Sequence, residues 1–165
     1  MTTTASEAET YVLFELAGAT YALPSRHIQQ LEMVGTPTPV PNAPPFVDGV
    51  VSLRGQVIPA VSLRARFGFP RVPHDIRSRL VIVRAQGRAV GLIVDSAREF
   101  ANVAPEAIKP LPEGIGGTSG RYLRGIAHHG ERLLLIVDVI ELLDTEEQPK
   151  DEVAAQSATS MADTQ

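Results

Sequence analysis

Three sequence cues recur in the same order about 70 residues apart, and this repetition limits the possible folds more than any other feature. Leu13-Phe-Glu-Leu-Ala-Gly18-Ala-Thr-Tyr-Ala-Leu23 matches Ile82-Val-Arg-Ala-Gln-Gly87-Arg-Ala-Val-Gly-Leu92 at an offset of 69. Thr36-Pro-Thr-Pro-Val-Pro41 matches Ala107-Ile-Lys-Pro-Leu-Pro112 at an offset of 71. Gly49-Val50 with a turn glycine at Gly55 matches Gly125-Ile126 with Gly130. Short hairpins resemble one another by accident, so the shared order carries the case for duplication. A repeat this long exceeds a solenoid unit. It predicts two small β-barrels related by a pseudo-twofold axis, with a groove at their junction. Such junctions are favoured sites for ligands and partners.

The strand signals fit that plan. Tyr11–Leu16 and Tyr21–Leu23 flank a turn at Ala17-Gly18-Ala19-Thr20, and Arg79–Arg84 and Ala89–Val94 flank another at Ala85–Arg88. Arg132–Val137 is an apolar run of strand length. Two short helices are expected. Ser62 caps Leu63–Phe67, which Gly68 closes, and Asp138-Val-Ile-Glu141 has capping-box spacing ahead of Val139–Leu143. Residues 1–9 and 145–165 carry few large apolar groups and are expected to stay unpacked, because burial there cannot offset an ordering cost of roughly 1–2 kcal/mol per residue. The folded domain is therefore placed at 10–144, as two intertwined barrel subdomains.

Composition removes several function classes. The chain has 165 residues, no cysteine and a net charge of −4. Disulfides, thiol catalysis and CxxC zinc sites are excluded, and general affinity for nucleic acid or anionic lipid is disfavoured. No apolar run reaches the ~20 residues of a membrane-spanning helix, and residues 1–10 lack the basic start and apolar stretch of a secretory signal. A soluble cytoplasmic protein is the expectation.

No catalytic or metal-binding constellation emerges. His128-His129 precede a predicted turn, and adjacent strand residues point to opposite faces, so they read as exposed turn residues. The G-x-S-x-G elbow is absent. The glycine-rich 114–120 loop lacks the lysine and the preceding strand of a phosphate-binding loop. Arg64, Arg66, Arg71, Arg77 and Arg79 form a basic cluster, read as a solvated loop with an acidic partner patch as the alternative. No catalytic residue, metal or cofactor is assigned.

The segment Gly49–Arg64 reads as two apolar strands around a tight turn at Arg54-Gly55. Glycine supplies the positive φ that such turns need. A turn arginine usually points into solvent, but it also offers a donor fork for a carboxylate or a planar cap for an apolar surface. Pro59 cannot donate to a ladder, which predicts an edge strand or a bulge.

Pro44-Pro-Phe-Val-Asp-Gly-Val-Val-Ser-Leu-Arg-Gly-Gln-Val-Ile-Pro-Ala-Val-Ser-Leu-Arg64 resembles the central motif of the CheW-like chemotaxis coupling proteins. The resemblance runs from about Tyr11 to Leu143 and includes Val90–Asp95 and Tyr122–Ile126. It implies a mainly β fold of two five-stranded SH3-like β-barrels, with short helices including one near the C-terminus. It implies a non-enzymatic scaffold that couples the cytoplasmic tip of a methyl-accepting chemoreceptor to the histidine kinase CheA, through the kinase's own CheW-like regulatory domain. Carried onto this sequence, Leu53, Arg54 and Gly55 form the contact turn near the receptor groove, and Ile28, Gly49, Val50 and Val57 its apolar wall.

Three positions depart from the family pattern. Ser52 stands for an asparagine, Ser62 for an aspartate, and Gln30 for a glutamate that pairs with the turn arginine. A neutral amide cannot form the bidentate charged pair; Glu32, on the same strand face, is the available substitute. These departures leave open a paralogue serving a non-flagellar pathway. A small-barrel nucleic-acid module is compatible with the fold alone, but its aromatic platform and positive field are missing.

Overall fold

The computed structural model describes residues 8–114 and 120–143. Its strands are β1 (Glu9–Leu16), β2 (Ala19–Pro24), β3 (Ile28–Met33), β4 (Val47–Leu53), β5 (Gln56–Ser62), β6 (Arg79–Ala85), β7 (Arg88–Val94), β8 (Ser96–Val103), β9 (Leu123–His129) and β10 (Arg132–Val137). A one-turn helix, α1 (Leu63–Arg66), follows β5, and residues 139–143 are helical. The expected caps form. Ser62 Oγ accepts from the Ala65 N–H at 3.2 Å, and Asp138 Oδ1 accepts from the Glu141 N–H at 3.0 Å. Most of the two expected unpacked tails lies outside the described residues, but Glu9 already belongs to β1, opposite Val103.

The strands form two five-stranded sheets, ordered β8-β1-β2-β10-β9 and β3-β6-β7-β5-β4. Replacing β1–β5 by β6–β10, and the reverse, converts one order into the other, so the sequence repeat is also a repeat of topology. Neither sheet comes from one repeat. β3 leaves its own hairpin to pair with β6, while β8 pairs with β1. β10 joins β2, and β5 joins β7, through short parallel ladders.

Among the described residues, neither sheet closes into a continuous hydrogen-bonded barrel; isolated bridges alone tie its edges. The outermost strands of each sheet share no ladder. Instead Thr38 exchanges two 2.9 Å backbone bonds with Val50, and Lys109 exchanges two 2.8 Å bonds with Ile126. Proline lacks an N–H, so Pro37 and Pro39 leave Thr38 as the one donor of that triplet, and the contact cannot grow into a ladder. The repeated proline segments are the closing pieces of the two sheets.

Both faces of the inner strands are buried. On β1, Tyr11 and Leu13 enter the core of the first sheet, while Val12, Phe14 and Leu16 enter the core between the sheets. On β6, Leu80 and Ile82 face inward, while Val81 and Val83 join the same central cluster. Two-sided burial explains why these strands read as continuous apolar runs. The few aromatic residues are concentrated at this junction. Phe14 stacks on Tyr21 at 5.3 Å, Tyr21 meets Phe67 at 5.7 Å, and Phe67 stacks on Tyr122 at 5.6 Å.

Pro59 corrects one expectation. β5 is not an edge strand; it lies between β7 and β4. Counting from the turn-closing pair Leu53–Gln56, the Val50–Pro59 pair is a non-hydrogen-bonded one. The parallel ladder to β7 begins only at Ala60. The missing N–H therefore costs neither ladder a bond, and the bulge in this hairpin falls between Val47 and Gly49 instead.

Candidate functional site: the β4–β5 turn and its surroundings

Arg54 and Gly55 make a two-residue turn with φ of +52° and +77°. Successive positive φ values are what a type I′ hairpin needs, and the same pattern recurs at Ala17-Gly18 and Gln86-Gly87. An L-residue in that region costs roughly 1–2 kcal/mol, so Arg54 is held in a strained conformation. Its side chain is exposed and makes no hydrogen bond or ion pair with any described residue. Leu53 is half-buried against the inner core of the second sheet, and Val57 is 66% exposed.

The site residues come from opposite edges of one sheet. Leu53, Arg54, Gly55, Val50 and Val57 belong to the β4–β5 hairpin, and Ile28 and Gln30 to β3. Arg84 on β6 ties the two groups together, donating to Gln29 Oε1 at 2.9 Å and to Gln56 Oε1 at 3.1 Å. Ile28 packs against the central core. Gln30 donates its amide to Glu32, so Glu32 engages Gln30 and not Arg54. Gly49 is buried beneath the Thr38 carbonyl and offers no surface.

The structure adds residues that the sequence reading missed. Leu31 is 37% exposed and Met33 52% exposed on β3. Leu31 is opposite Val81, and Val57 shares a strand face with Val61; both Val81 and Val61 belong to the central cluster. Leu31 and Val57 are thus the open margin of the core between the sheets. The signal for Leu31 was its alternation with Gln30 and Glu32, but its neighbour β6 is too distant in sequence to be foreseen. Phe100 and Leu133 are exposed at repeat-related positions in the first sheet.

The arginine cluster is not merely solvated. Arg64 forms a fork on Asp95, Nε to Oδ1 at 3.0 Å and Nη2 to Oδ2 at 2.8 Å. Asp95 also accepts the Ala17 N–H at 3.0 Å. Burial alone raises the Asp95 pKa, but the Arg64 and Ala17 hydrogen bonds outweigh it and hold the carboxyl below its usual range. The same fork raises the Arg64 pKa. Arg71 pairs with Asp48 at 2.9 Å, Arg77 pairs with Asp75 at 3.0 Å, and Arg79 donates to the Ile76 and Ser78 carbonyls. Arg66 stacks over Phe46 and Tyr122.

The described part of the chain contains no group of three His, Asp or Glu side chains placed to hold a metal ion. No described helix is long and apolar enough to cross a membrane. His128 and His129 are exposed at the end of β9. The core of the 114–120 loop lies outside the described residues.

Comparison with known proteins agrees with this architecture. The CheW-like domain family model matches residues 10–147. Chemotaxis protein CheW of Klebsiella aerogenes is 31% identical over 137 residues, covering 83% of this chain and 82% of that protein. Chemotaxis protein CheW of Bacillus subtilis is 32% identical over 146 residues, covering 88% and 94%. The crystal structure of the scaffolding protein TtCheW from Thermoanaerobacter tengcongensis superposes with a TM-score of 0.73 at 29% identity, covering 79% of this chain and 88% of that one. The chain belongs to the CheW-like domain family of chemotaxis proteins.

Proposed function

We propose that this protein is a non-enzymatic cytoplasmic adaptor that couples the tip of a methyl-accepting chemoreceptor to the histidine kinase CheA. In this reading the receptor's helical hairpin lies in the groove between the sheets, and one barrel end meets the CheW-like regulatory domain of the kinase. The observation that carries it is the Arg54 turn. An arginine in a strained conformation, with no described partner, stands on the same hairpin as the exposed Val57. A turn free to choose its sequence would favour Asn-Gly. Retaining arginine there supplies a donor fork next to an apolar margin, the combination used by interface anchors. Leu53, Gly55 and Val50 support the turn, Gly49 admits the closing bridge beneath it, and Ile28 and Gln30 mark the β3 side.

The test is reconstitution. The purified chain, a soluble receptor-tip fragment and the kinase regulatory domain are mixed and separated by size. A complex of all three is expected, and Arg54→Ala is expected to lose the receptor fragment while keeping its melting curve. Failure of the unaltered chain to bind either partner overturns the proposal. Loss of melting together with binding would make Arg54 a folding residue instead.

A further inference from the structure

We propose that the acidic segment 144–152 of this same chain docks on the arginine-bearing end of the second sheet and competes there with partners of the Arg54 turn. The competition rests on the reading of Arg54 as a contact residue; the docking does not.

Three segments meet at this end. β5 and β7 are parallel, so the Arg54-Gly55 and Gln86-Gly87 turns share it, and β3 begins there opposite the end of β6. Residues 26–29, 53–56 and 84–88 contain four arginines, Arg26, Arg54, Arg84 and Arg88, and no aspartate or glutamate. Arg26 is neutralised by Glu9. The hydrogen bonds found for Arg84 go to neutral glutamine amides, and Arg54 engages no described residue. Two cationic groups are thus left without a carboxylate in the described structure.

The opposite charge leaves the described structure at the same place. The Leu143 carbonyl, at the end of the described chain, accepts a 3.0 Å hydrogen bond from Arg88 Nη1 at the start of β7. The next nine residues carry Asp144, Glu146, Glu147, Asp151 and Glu152 against a single Lys150. Strands lie about 4.8 Å apart, so Arg84 and the Arg54 turn are one to two strand spacings from β7. Nine residues reach roughly 30 Å, more than enough. Tethering gives the segment an effective concentration on the order of millimolar, which makes weak, screened ion pairs competitive with a free acidic partner.

The chain has no cysteine, so Gln148→Cys carries a nitroxide at one position of the full-length protein. At low salt, amide signals of residues 54–55 and 84–88 are expected to broaden while those of 100–102 do not. The effect is expected to vanish in about 0.5 M salt, where the screening length is roughly 4 Å, and in the Arg54→Gln/Arg84→Gln variant. Absent, uniform or salt-insensitive broadening overturns the docking. Separately, Asp144→Asn/Glu146→Gln/Glu147→Gln/Asp151→Asn/Glu152→Gln is expected to bind the receptor-tip fragment roughly threefold or more tighter, the scale of one or two screened surface ion pairs. Unchanged affinity with the broadening intact overturns the competition alone. Binding by neither chain overturns the receptor reading, and with it the competition, while the broadening still decides the docking.

Discussion

Gly49 lies so close beneath the carbonyl of Thr38 that a Cβ on it would sit 2.2 Å from that oxygen. The repeat-related pair is the same: a Cβ on Gly125 would sit 2.3 Å from the Lys109 oxygen. Each glycine precedes the residue that receives the closing bridge. Gly49→Ala would have to break that bridge, and would also strain a φ of +150°. The expected cost is more than about 2 kcal/mol, read as a lower urea midpoint at unchanged slope. Gly125→Ala is expected to lose a comparable amount. Loss confined to Gly49→Ala would show that the two closures are not equivalent.

Both glycines were visible as repeated letters, but their purpose was not. Duplication shows which segments are alike, not which ones pair. The exchange of β3 and β8 between repeats depends on contacts far apart in sequence, so local patterns could give the hairpins and not the sheets. Pro59 was misread for a related reason: its missing N–H matters only relative to where the β7 ladder begins. β8 escaped notice because Arg98, Glu99 and Phe100 are exposed in succession beside a register shift in β1, which breaks the alternation that marks a strand. At the site, the Arg54-Gly55 turn was legible from local chemistry. The Arg84 link and the exposed Leu31 were not, because both follow from β3 lying beside β6.

The Arg64–Asp95 fork predicts a pH dependence with a definite sign. Asp95 has a lower pKa folded than unfolded. Its contribution is therefore fully present above the ordinary aspartate value of about 4 and is lost as pH falls through the lowered folded value. Asp95→Asn is expected to cost about 1–2 kcal/mol at pH 7, toward the low end because the two side chains are 19% and 29% exposed. Urea midpoints of the two proteins should converge as pH is lowered from 7 toward 3. A constant gap would assign the loss to packing.

The strain at Arg54 predicts separation of stability from binding. Arg54→Asn places the residue that type I′ turns favour at a φ of +52°. The melting temperature is expected to rise, by the equivalent of about 0.5–1 kcal/mol, while receptor-fragment affinity falls. A variant that is both less stable and weaker in binding would remove the case that Arg54 is kept for contact at a cost in stability.

Gln30 and Glu32 share a strand face and are already hydrogen-bonded. Gln30→Glu therefore sets two carboxylates side by side, with no amide donor left between them. Like charges on one strand face are expected to cost roughly 0.5–1 kcal/mol at pH 7. The alternative is that the new carboxylate captures Arg54. In that case the variant would be more stable, and the gain would disappear in the Arg54→Ala background. A double-mutant cycle of Gln30→Glu with Arg54→Ala, measured by urea unfolding, separates the two. The hydrogen bond to Glu32 and the absence of any described partner for Arg54 favour zero coupling, which would mean that this turn holds its arginine ready for a partner without a carboxylate at position 30.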